Sequence, residues 1–200
     1  MAAPVSAATP SAGASASAGL DRGIFLVGMM GAGKTTIGQC IGSLLGGEFL
    51  DADWELERRT GRTIEALFGE GEAAFRLREA ELLDELTRRS GIVLATGGGA
   101  VLRADNRAAL GGRGFVVYLH AAPARLWERA RVQGGRPLLR VADPLQRLTE
   151  LYAQRDPLYR ECADLVLETA GATPMELADL VVASIARVVE EMGLAGPGAA

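Results

Sequence analysis

Short, uniformly apolar segments alternate with longer amphipathic segments along most of the 200-residue chain. The apolar segments predict strands that are buried on both faces, because a strand with one face in water alternates apolar and polar residues. These predicted strands span residues 23–28, 48–51, 92–95, 115–119 and 165–168. The amphipathic segments predict helices at residues 34–45, 53–59, 63–68, 72–89, 106–110, 123–132, 144–159 and 174–192. This alternation is typical of an α/β domain with a parallel sheet between two layers of helices.

Composition indicates one globular domain with a tail at each end. Hydrophobic residues make up 48% of the chain and charged residues 23%, as in ordinary soluble domains. Residues 1–20 are rich in Ala, Ser, Gly and Pro and carry no charge, so we expect a disordered tail. The segment 193–200 should fray. The folded domain is therefore predicted to span residues 21–192.

Several classes of partner are disfavoured by the sequence. The net charge of −4 argues against binding to nucleic acid through bulk charge. No apolar run has the length of a membrane span. Cys40 and Cys162 lie far apart, and one histidine leaves little room for a zinc site. We therefore expect a cytoplasmic protein with free thiols, and a monomer, since no heptad repeat is present.

A phosphate-binding motif joins the first predicted strand to the first helix. The segment GMMGAGKTT holds Gly28, Gly33, Lys34 and Thr35 at the spacing of a P-loop. Its backbone N–H groups would surround phosphates, Lys34 would contact the β- and γ-phosphates, and Thr35 would bind Mg²⁺. We call residues 28–33 the phosphate loop. Nucleotide contacts are predicted from Gly31, Ala32, Gly33, Lys34, Thr35 and Thr36.

The single lysine narrows the class of nucleotide-binding protein. Lys34 is the only lysine among 21 basic residues. A GTPase would need a second lysine in its guanine-reading Asn-Lys-x-Asp segment, so that class is excluded. Motors and large ATPases usually need a longer chain. The remaining class is that of small phosphoryl-transfer enzymes.

Two acids follow the second predicted strand, in the segment FLDAD. Asp51 and Asp53 are two residues apart, which would place both side chains on one side of an extended segment. One could hold Mg²⁺ through water, and the other could accept a proton from a substrate hydroxyl. Alternatively, Asp53 caps the following helix, since Asp is a favoured N-cap residue.

Three arginines are candidates for contacts with an anion. Arg76 lies three residues before Glu79 on a predicted helix, where most such pairs are solvated salt bridges. Arg136 follows a glycine pair and precedes a proline, so it could belong to a mobile lid at about residues 130–141, or to an ordinary flexible loop. Arg155 is predicted near a helix end, where an exposed arginine is normally only solvated.

Three consecutive glycines follow the third predicted strand. We call Gly97, Gly98 and Gly99 the glycine loop. Many nucleotide-hydrolysing proteins have an acid at this place, and here a ligand close to the backbone would explain why no side chain is present. The alternative is a turn that needs glycine only for flexibility.

Taken together, these segments resemble the shikimate kinase family. The resemblance rests on GMMGAGKTTIG, FLDADWELERRTG, EAAFRLRE, TGGGAV, RPLL and RDPLYRECAD, which follow one another across residues 23–168. It implies an α/β, three-layer P-loop kinase fold with a central five-stranded parallel sheet, helices on both faces and a mobile lid. The implied reaction is ATP-dependent phosphorylation of the shikimate 3-hydroxyl, which gives 3-phosphoshikimate and ADP on the route to aromatic amino acids.

The resemblance also implies substrate contacts. Asp53 would bind and deprotonate the hydroxyl that is phosphorylated. Arg76 and Arg155 would hold the shikimate carboxylate, a task suited to the planar guanidinium group. Gly97 and Gly98 would lie against the substrate ring, where any Cβ would occupy its space.

On the nucleotide side, the resemblance implies that Lys34 and Arg136 neutralise the transferring phosphoryl group of ATP. Thr35 would bind Mg²⁺ directly, and Asp51 would support the ion through water. Two alternatives remain open at this point. Another small-molecule kinase of the same fold, such as a gluconate kinase, would also need an anion site, and a non-catalytic nucleotide-binding module would also need a phosphate loop.

Overall fold

The computed structural model describes residues 22–133 and 137–191. Its five strands form one sheet in which every neighbouring pair is parallel. The strands are β1 (Ile24–Val27), β2 (Glu48–Asp51), β3 (Ile92–Ala95), β4 (Phe115–His120) and β5 (Leu165–Glu168). They lie side by side in the order β2-β3-β1-β4-β5. The predicted parallel sheet of five strands is therefore confirmed.

Eight α-helices connect and follow these strands within the described residues. They are α1 (Lys34–Leu45), α2 (Ala52–Thr60), α3 (Ile64–Gly69), α4 (Glu72–Leu86), α5 (Ala104–Arg113), α6 (Pro123–Gln133), α7 (Pro144–Cys162) and α8 (Pro174–Glu191). Short 3₁₀ helices occur at Ala100–Leu102 and Pro137–Leu139. Most predicted boundaries agree within a few residues, but α7 continues three residues beyond the predicted end, past Pro157.

The core lies on both faces of the central strands. Every residue of β1 and β3 is buried, and so are the four inner residues of β4. The edge strands β2 and β5 are only partly buried. On one face, α1 packs against the sheet and against α8, and on the other α5 and α7 pack against each other and against β4. This three-layer arrangement confirms the predicted fold class.

The strand order determines where a ligand can bind. Within the sheet, β3 and β2 lie to one side of β1, and β4 and β5 lie to the other side. In open parallel sheets, ligands bind beyond the carboxyl ends of the strands where the order reverses. The segments that follow β1, β2 and β3 meet at this edge, which brings the phosphate loop, Asp51 and the glycine loop together.

Some predictions fall outside the described residues. These are the tails at 1–20 and 193–200, the domain ends at 21 and 192, and residues 134–136 of the predicted lid. Within the described ranges, no helix combines the length and apolarity needed to cross a membrane.

Close packing of α1 on the sheet generates a stability prediction. A Cβ at Gly38 would lie 2.5 Å from the Phe49 ring and 3.0 Å from Leu26. We expect Gly38→Ala to lower the free energy of unfolding by about 1–2 kcal/mol, because overpacking outweighs the gain in helix propensity. Urea-induced unfolding followed by circular dichroism measures this change.

The matched control is the same substitution at an open helix position. Gly112 lies in α5, and a Cβ there would meet no atom within 4 Å. Gly112→Ala should stabilise the protein by up to about 1 kcal/mol. Equal stabilisation by both substitutions would contradict the packing argument.

Candidate active site

The phosphate loop has the conformation that its glycines predict. Gly28, Gly31 and Gly33 have φ angles of 143°, 81° and 94°, which side chains rarely allow. Steric crowding is a second reason why two of these positions require glycine. A Cβ at Gly28 would lie 2.6 Å from the Leu119 carbonyl oxygen. A Cβ at Gly31 would lie 2.6 Å from the Leu126 carbonyl oxygen. The loop is therefore held against the end of β4 and against α6, and it needs glycine at positions 28 and 31.

Most of the predicted nucleotide residues line one cavity. This cavity has a volume of about 300 Å³, and its wall includes Gly31, Gly33, Lys34, Thr35 and Thr36. Lys34 lies across the loop, and its Nζ donates to the carbonyl oxygens of Gly28 at 2.8 Å and Met29 at 3.0 Å. Ala32 is fully buried behind the wall and its N–H donates to the Met29 carbonyl, so it shapes the loop.

Asp51 joins β2 to the first turn of α1, directly after the phosphate loop. Its Oδ2 accepts a hydrogen bond of 2.7 Å from the Thr35 hydroxyl, and its Oδ1 accepts from the backbone N–H groups of Asp53 and Trp54. Asp51 is therefore the N-cap of α2. The alternative that Asp53 caps this helix is wrong, because the helix begins at Ala52, one residue before the predicted start.

Asp53 lies in the first turn of α2, and its side chain lines the cavity. The predicted extended segment ends at Asp51, so the two acids reach the cavity from different elements. Asp51 contacts Thr35 at the start of α1, while the Asp53 carboxylate lies near the glycine loop: a Cβ at Gly97 would be 3.1 Å from its Oδ1. This separates an acid beside Thr35 from an acid on the other side of the cavity.

Arg76 and Glu79 form a buried ion pair on α4. Arg76 Nη1 donates to Glu79 Oε2 at 2.6 Å, and Arg76 is 9% and Glu79 3% exposed. The guanidinium also contacts Glu72 and lies 5.4 Å and 5.1 Å from the ring centres of Phe68 and Phe75. The sequence-based alternative of a solvated surface pair is therefore wrong, because this face of α4 is turned toward the cavity.

Burial also determines the electrostatics of the pair. Desolvation raises the pKa of Glu79, although the positive charge of Arg76 acts in the opposite direction. Within the described residues, Glu79 Oε1 and Arg76 Nε are buried without a hydrogen-bond partner. Sequence reasoning named Glu79 only as a salt-bridge partner. Its place at the cavity wall could have been suspected from the apolar residues around it on α4.

The glycine loop makes room for this ion pair. A Cβ at Gly97 would lie 2.5 Å from Glu79 Oε1, and a Cβ at Gly99 would collide with the Arg76 guanidinium. At Gly98 the nearest atom would be 3.5 Å away, which is ordinary contact. The space taken by Arg76 and Glu79 therefore explains why residues 97 and 99 are glycine. That the loop also accommodates a substrate ring stays a prediction.

Arg155 approaches the glycine loop from α7. Its side chain is 2% exposed, and its Nη1 donates to the Gly98 carbonyl oxygen at 3.1 Å. Burial lowers the pKa of Arg155. The alternative of an ordinary solvated arginine near a helix end is wrong, because α7 continues to Cys162 and Arg155 is buried against the glycine loop.

A tyrosine that sequence reasoning did not single out lies beside Arg155. The Tyr159 hydroxyl donates to the same Gly98 carbonyl at 2.5 Å, and Tyr159 is fully buried. Burial raises the pKa of this phenol, so it remains a hydrogen-bond donor at neutral pH. A tyrosine four residues after an arginine on one helix is a weak signal, and only the fold shows that both contact one backbone atom.

The predicted lid is described only in part. Arg136 lies outside the described residues. Leu138, in the 3₁₀ helix Pro137–Leu139, lines the cavity on the side of this segment. The other predicted site residues converge on the cavity: the phosphate loop with Lys34 and Thr35, the two acids, Arg76, Arg155 and the glycine loop. The site thus places a phosphate-binding turn beside a pair of buried arginines and a carboxylate.

Comparison with known sequences identifies the family. The model of the shikimate kinase family matches residues 30–186. The shikimate kinase of Burkholderia lata is 52% identical over 160 residues, which cover 80% of this chain and 87% of that protein. The shikimate kinase of Halorhodospira halophila is 52% identical over 163 residues, 81% of this chain and 92% of that protein.

Solved structures agree with these relatives. Shikimate kinase from Acinetobacter baumannii, in complex with shikimate, superposes with a TM-score of 0.81 at 48% identity over 83% of this chain and 93% of that chain. A gluconokinase from Sinorhizobium meliloti matches with a TM-score of 0.61 over 88% of this chain and 97% of that chain, but at 19% identity it shows the fold alone. The resemblance in the sequence is confirmed: the chain is an enzyme that belongs to the shikimate kinase family.

Proposed function

We propose that the cavity catalyses transfer of the γ-phosphoryl group of ATP to the 3-hydroxyl of shikimate, with 3-phosphoshikimate and ADP as products. One observation carries this proposal. Two buried arginines and a carboxylate, Arg76, Arg155 and Asp53, line the same cavity as the phosphate loop. A small acceptor that carries one carboxylate and several hydroxyl groups fits this set. A gluconate kinase would share the fold, but the likeness to gluconokinase carries no argument beyond the fold.

The arginines supply the carboxylate site. Arg76 Nε and Arg155 Nε are buried, and within the described residues neither has a hydrogen-bond partner. Leaving buried donors unsatisfied costs about 1–3 kcal/mol each, more for charged groups. A substrate carboxylate between the two guanidinium groups would offset this cost. Arg76 Nη1 donates to Glu79 and Nη2 donates to Glu72, so Nε is the Arg76 donor that remains for the substrate.

Asp53 is the proposed base. It lies in the first turn of α2, and its side chain lines the cavity. Its oxygens face the glycine loop, the side of the cavity on which the substrate would lie. From there, Asp53 would orient the attacking hydroxyl and accept its proton while the phosphoryl group is transferred.

The nucleotide half of the site fits ATP with Mg²⁺. A Cβ at Gly28 or Gly31 would collide with carbonyl oxygens, so the phosphate loop offers bare backbone, as phosphates require. The Thr35 hydroxyl oxygen and Asp51 Oδ2 lie 2.7 Å apart beside the start of α1. Oxygen ligands of this kind suit Mg²⁺. Within the described ranges no group of three His, Cys, Asp or Glu side chains could hold a metal, which fits an ion held mainly by phosphates. The bound ion would supply charge neutralisation on the phosphates.

Arg136 is the proposed lid residue. We propose that it contacts the ATP phosphates when the segment 130–141 closes, which would exclude water and limit ATP hydrolysis. The neighbouring Leu138 already lines the cavity, which supports a position for this segment over the site.

We further propose that the enzyme acts as a monomer in the cytoplasm. Cys40 and Cys162 are free thiols and both are partly buried, which suits a reducing compartment. The proposed partners are the small molecules ATP and shikimate, and neither nucleic acid nor a membrane is required.

The role of Asp53 can be tested by removing its charge. Asp53→Asn should lower kcat about 100-fold or more, because the general base is lost, and should leave ATP binding largely intact. ADP release with saturating shikimate measures kcat, and titration calorimetry measures ATP binding. A variant that keeps full turnover would contradict the proposed base. Asp105→Asn, which changes an exposed acid on α5, is the matched control and should keep normal kcat.

The carboxylate site can be tested with two arginines of α4. Arg76→Lys keeps the charge but loses the planar fork, so the KM for shikimate should rise about tenfold or more while the KM for ATP stays unchanged. Arg78 lies two residues away and pairs with Glu70 in a partly exposed position. Arg78→Lys should change neither constant. Equal effects of the two substitutions would contradict a specific role for Arg76.

A further inference from the structure

We propose that Tyr159 is a positioning residue for shikimate binding, which acts by fixing the carbonyl of Gly98. The inference rests on the proposed function, because it assumes that the glycine loop contacts the substrate. Tyr159 itself is fully buried and does not line the cavity, so its effect would pass through the backbone.

Two donors share the Gly98 carbonyl oxygen. The Tyr159 hydroxyl lies 2.5 Å from this oxygen, and Arg155 Nη1 lies 3.1 Å from it. A carbonyl oxygen has two lone pairs and can accept both bonds. Arg155 is proposed to bind the substrate carboxylate at the same time. Without the phenol, the position of the Gly98 carbonyl would depend only on an arginine that is also proposed to bind the substrate.

The rest of the glycine loop is fixed at its ends. The Thr96 N–H donates to the Leu26 carbonyl, and the Ala100 N–H donates to the Gly97 carbonyl, both at 3.1 Å. The Leu102 N–H donates to the Gly99 carbonyl at 3.0 Å, so backbone N–H groups hold the carbonyls of Gly97 and Gly99, while side chains hold the carbonyl of Gly98. Glycine has the widest conformational freedom of any residue type, so this middle peptide depends on those side-chain bonds. A trans peptide is planar, so fixing the Gly98 carbonyl also fixes the direction of the Gly99 N–H. The hydroxyl of Tyr159 therefore anchors the middle of the loop.

The ring of Tyr159 is itself held rigidly. It stacks on Tyr118 of β4 with ring centres 4.8 Å apart and an interplanar angle of 27°. The Tyr118 hydroxyl donates to Asp156 at 2.8 Å, and Asp156 also accepts from Arg160 at 2.9 Å. The stacking of the two rings ties α7 to β4 and does not depend on the Tyr118 hydroxyl. The Tyr159 hydroxyl is thus a fixed point from which the glycine loop is positioned.

The test removes single hydroxyl groups from the stacked pair. Tyr159→Phe keeps the ring and removes the bond to Gly98, and Tyr118→Phe is the matched control because its hydroxyl contacts Asp156 instead. Tyr159→Phe should raise the KM for shikimate about five- to tenfold, the effect of losing one buried hydrogen bond, with the KM for ATP unchanged. Tyr118→Phe should change neither KM. Amide exchange in a peptide covering residues 93–102 should speed up only in Tyr159→Phe.

The outcomes separate this inference from the function on which it depends. If the wild-type protein releases no ADP with shikimate, the proposed function fails. If the wild type is active and Tyr159→Phe has the same shikimate KM and the same exchange rates, only the inference fails. A variant that melts below the assay temperature, or one in which both KM values move together, would show a structural role and overturn the proposal.

Discussion

The buried ion pair between Arg76 and Glu79 is the interaction on which the rest of the site depends. Taking two charges out of water costs several kcal/mol for each ion, and an apolar pair of similar volume is often at least as stable. The neighbouring loop is built around the pair, since a Cβ at Gly97 or Gly99 would collide with these side chains. A buried pair of this kind with unsatisfied atoms beside a cavity is accounted for if a charged ligand completes its hydrogen bonds.

A second set of contacts links the start of α1, beside the phosphate loop, to α2, the helix that carries Asp53. The Thr35 hydroxyl donates to Asp51, and the same carboxylate caps α2, the helix that carries Asp53. The phosphate-binding turn and the proposed base are therefore positioned by one side chain at the carboxyl end of β2. This connection gives a physical reason for two acids at a spacing of two: one joins the elements, and the other faces the substrate side of the cavity.

Local signals were sufficient for the strands, the phosphate loop and the family, because apolar runs and the P-loop spacing depend on nearby residues. Most of the residues that the motif order singled out line one cavity, although Ala32 lies behind its wall and Arg136 is outside the described residues. Local signals were insufficient for features that depend on contacts between distant parts of the chain. Helix spacing alone left open whether Arg76 and Arg155 are solvated or bind an anion, because it does not show that α4 and α7 bury these residues at the cavity. The N-cap of α2 is Asp51 and not Asp53, because the helix begins one residue earlier than predicted. The contact of Tyr159 with Gly98 depends on the position of α7 beside the glycine loop, which the sequence alone does not show.

The central claim is that the two arginines select an acceptor by its carboxylate within a shikimate kinase site. The most direct measurement is ADP release by the purified protein with ATP and Mg²⁺, and with shikimate, shikimate methyl ester or no acceptor. The account predicts rapid release with shikimate, a kcat/KM at least about 100-fold lower with the uncharged ester, and slow release without acceptor. Equal turnover of acid and ester would contradict the carboxylate site, and equal release with and without shikimate would contradict the acceptor itself.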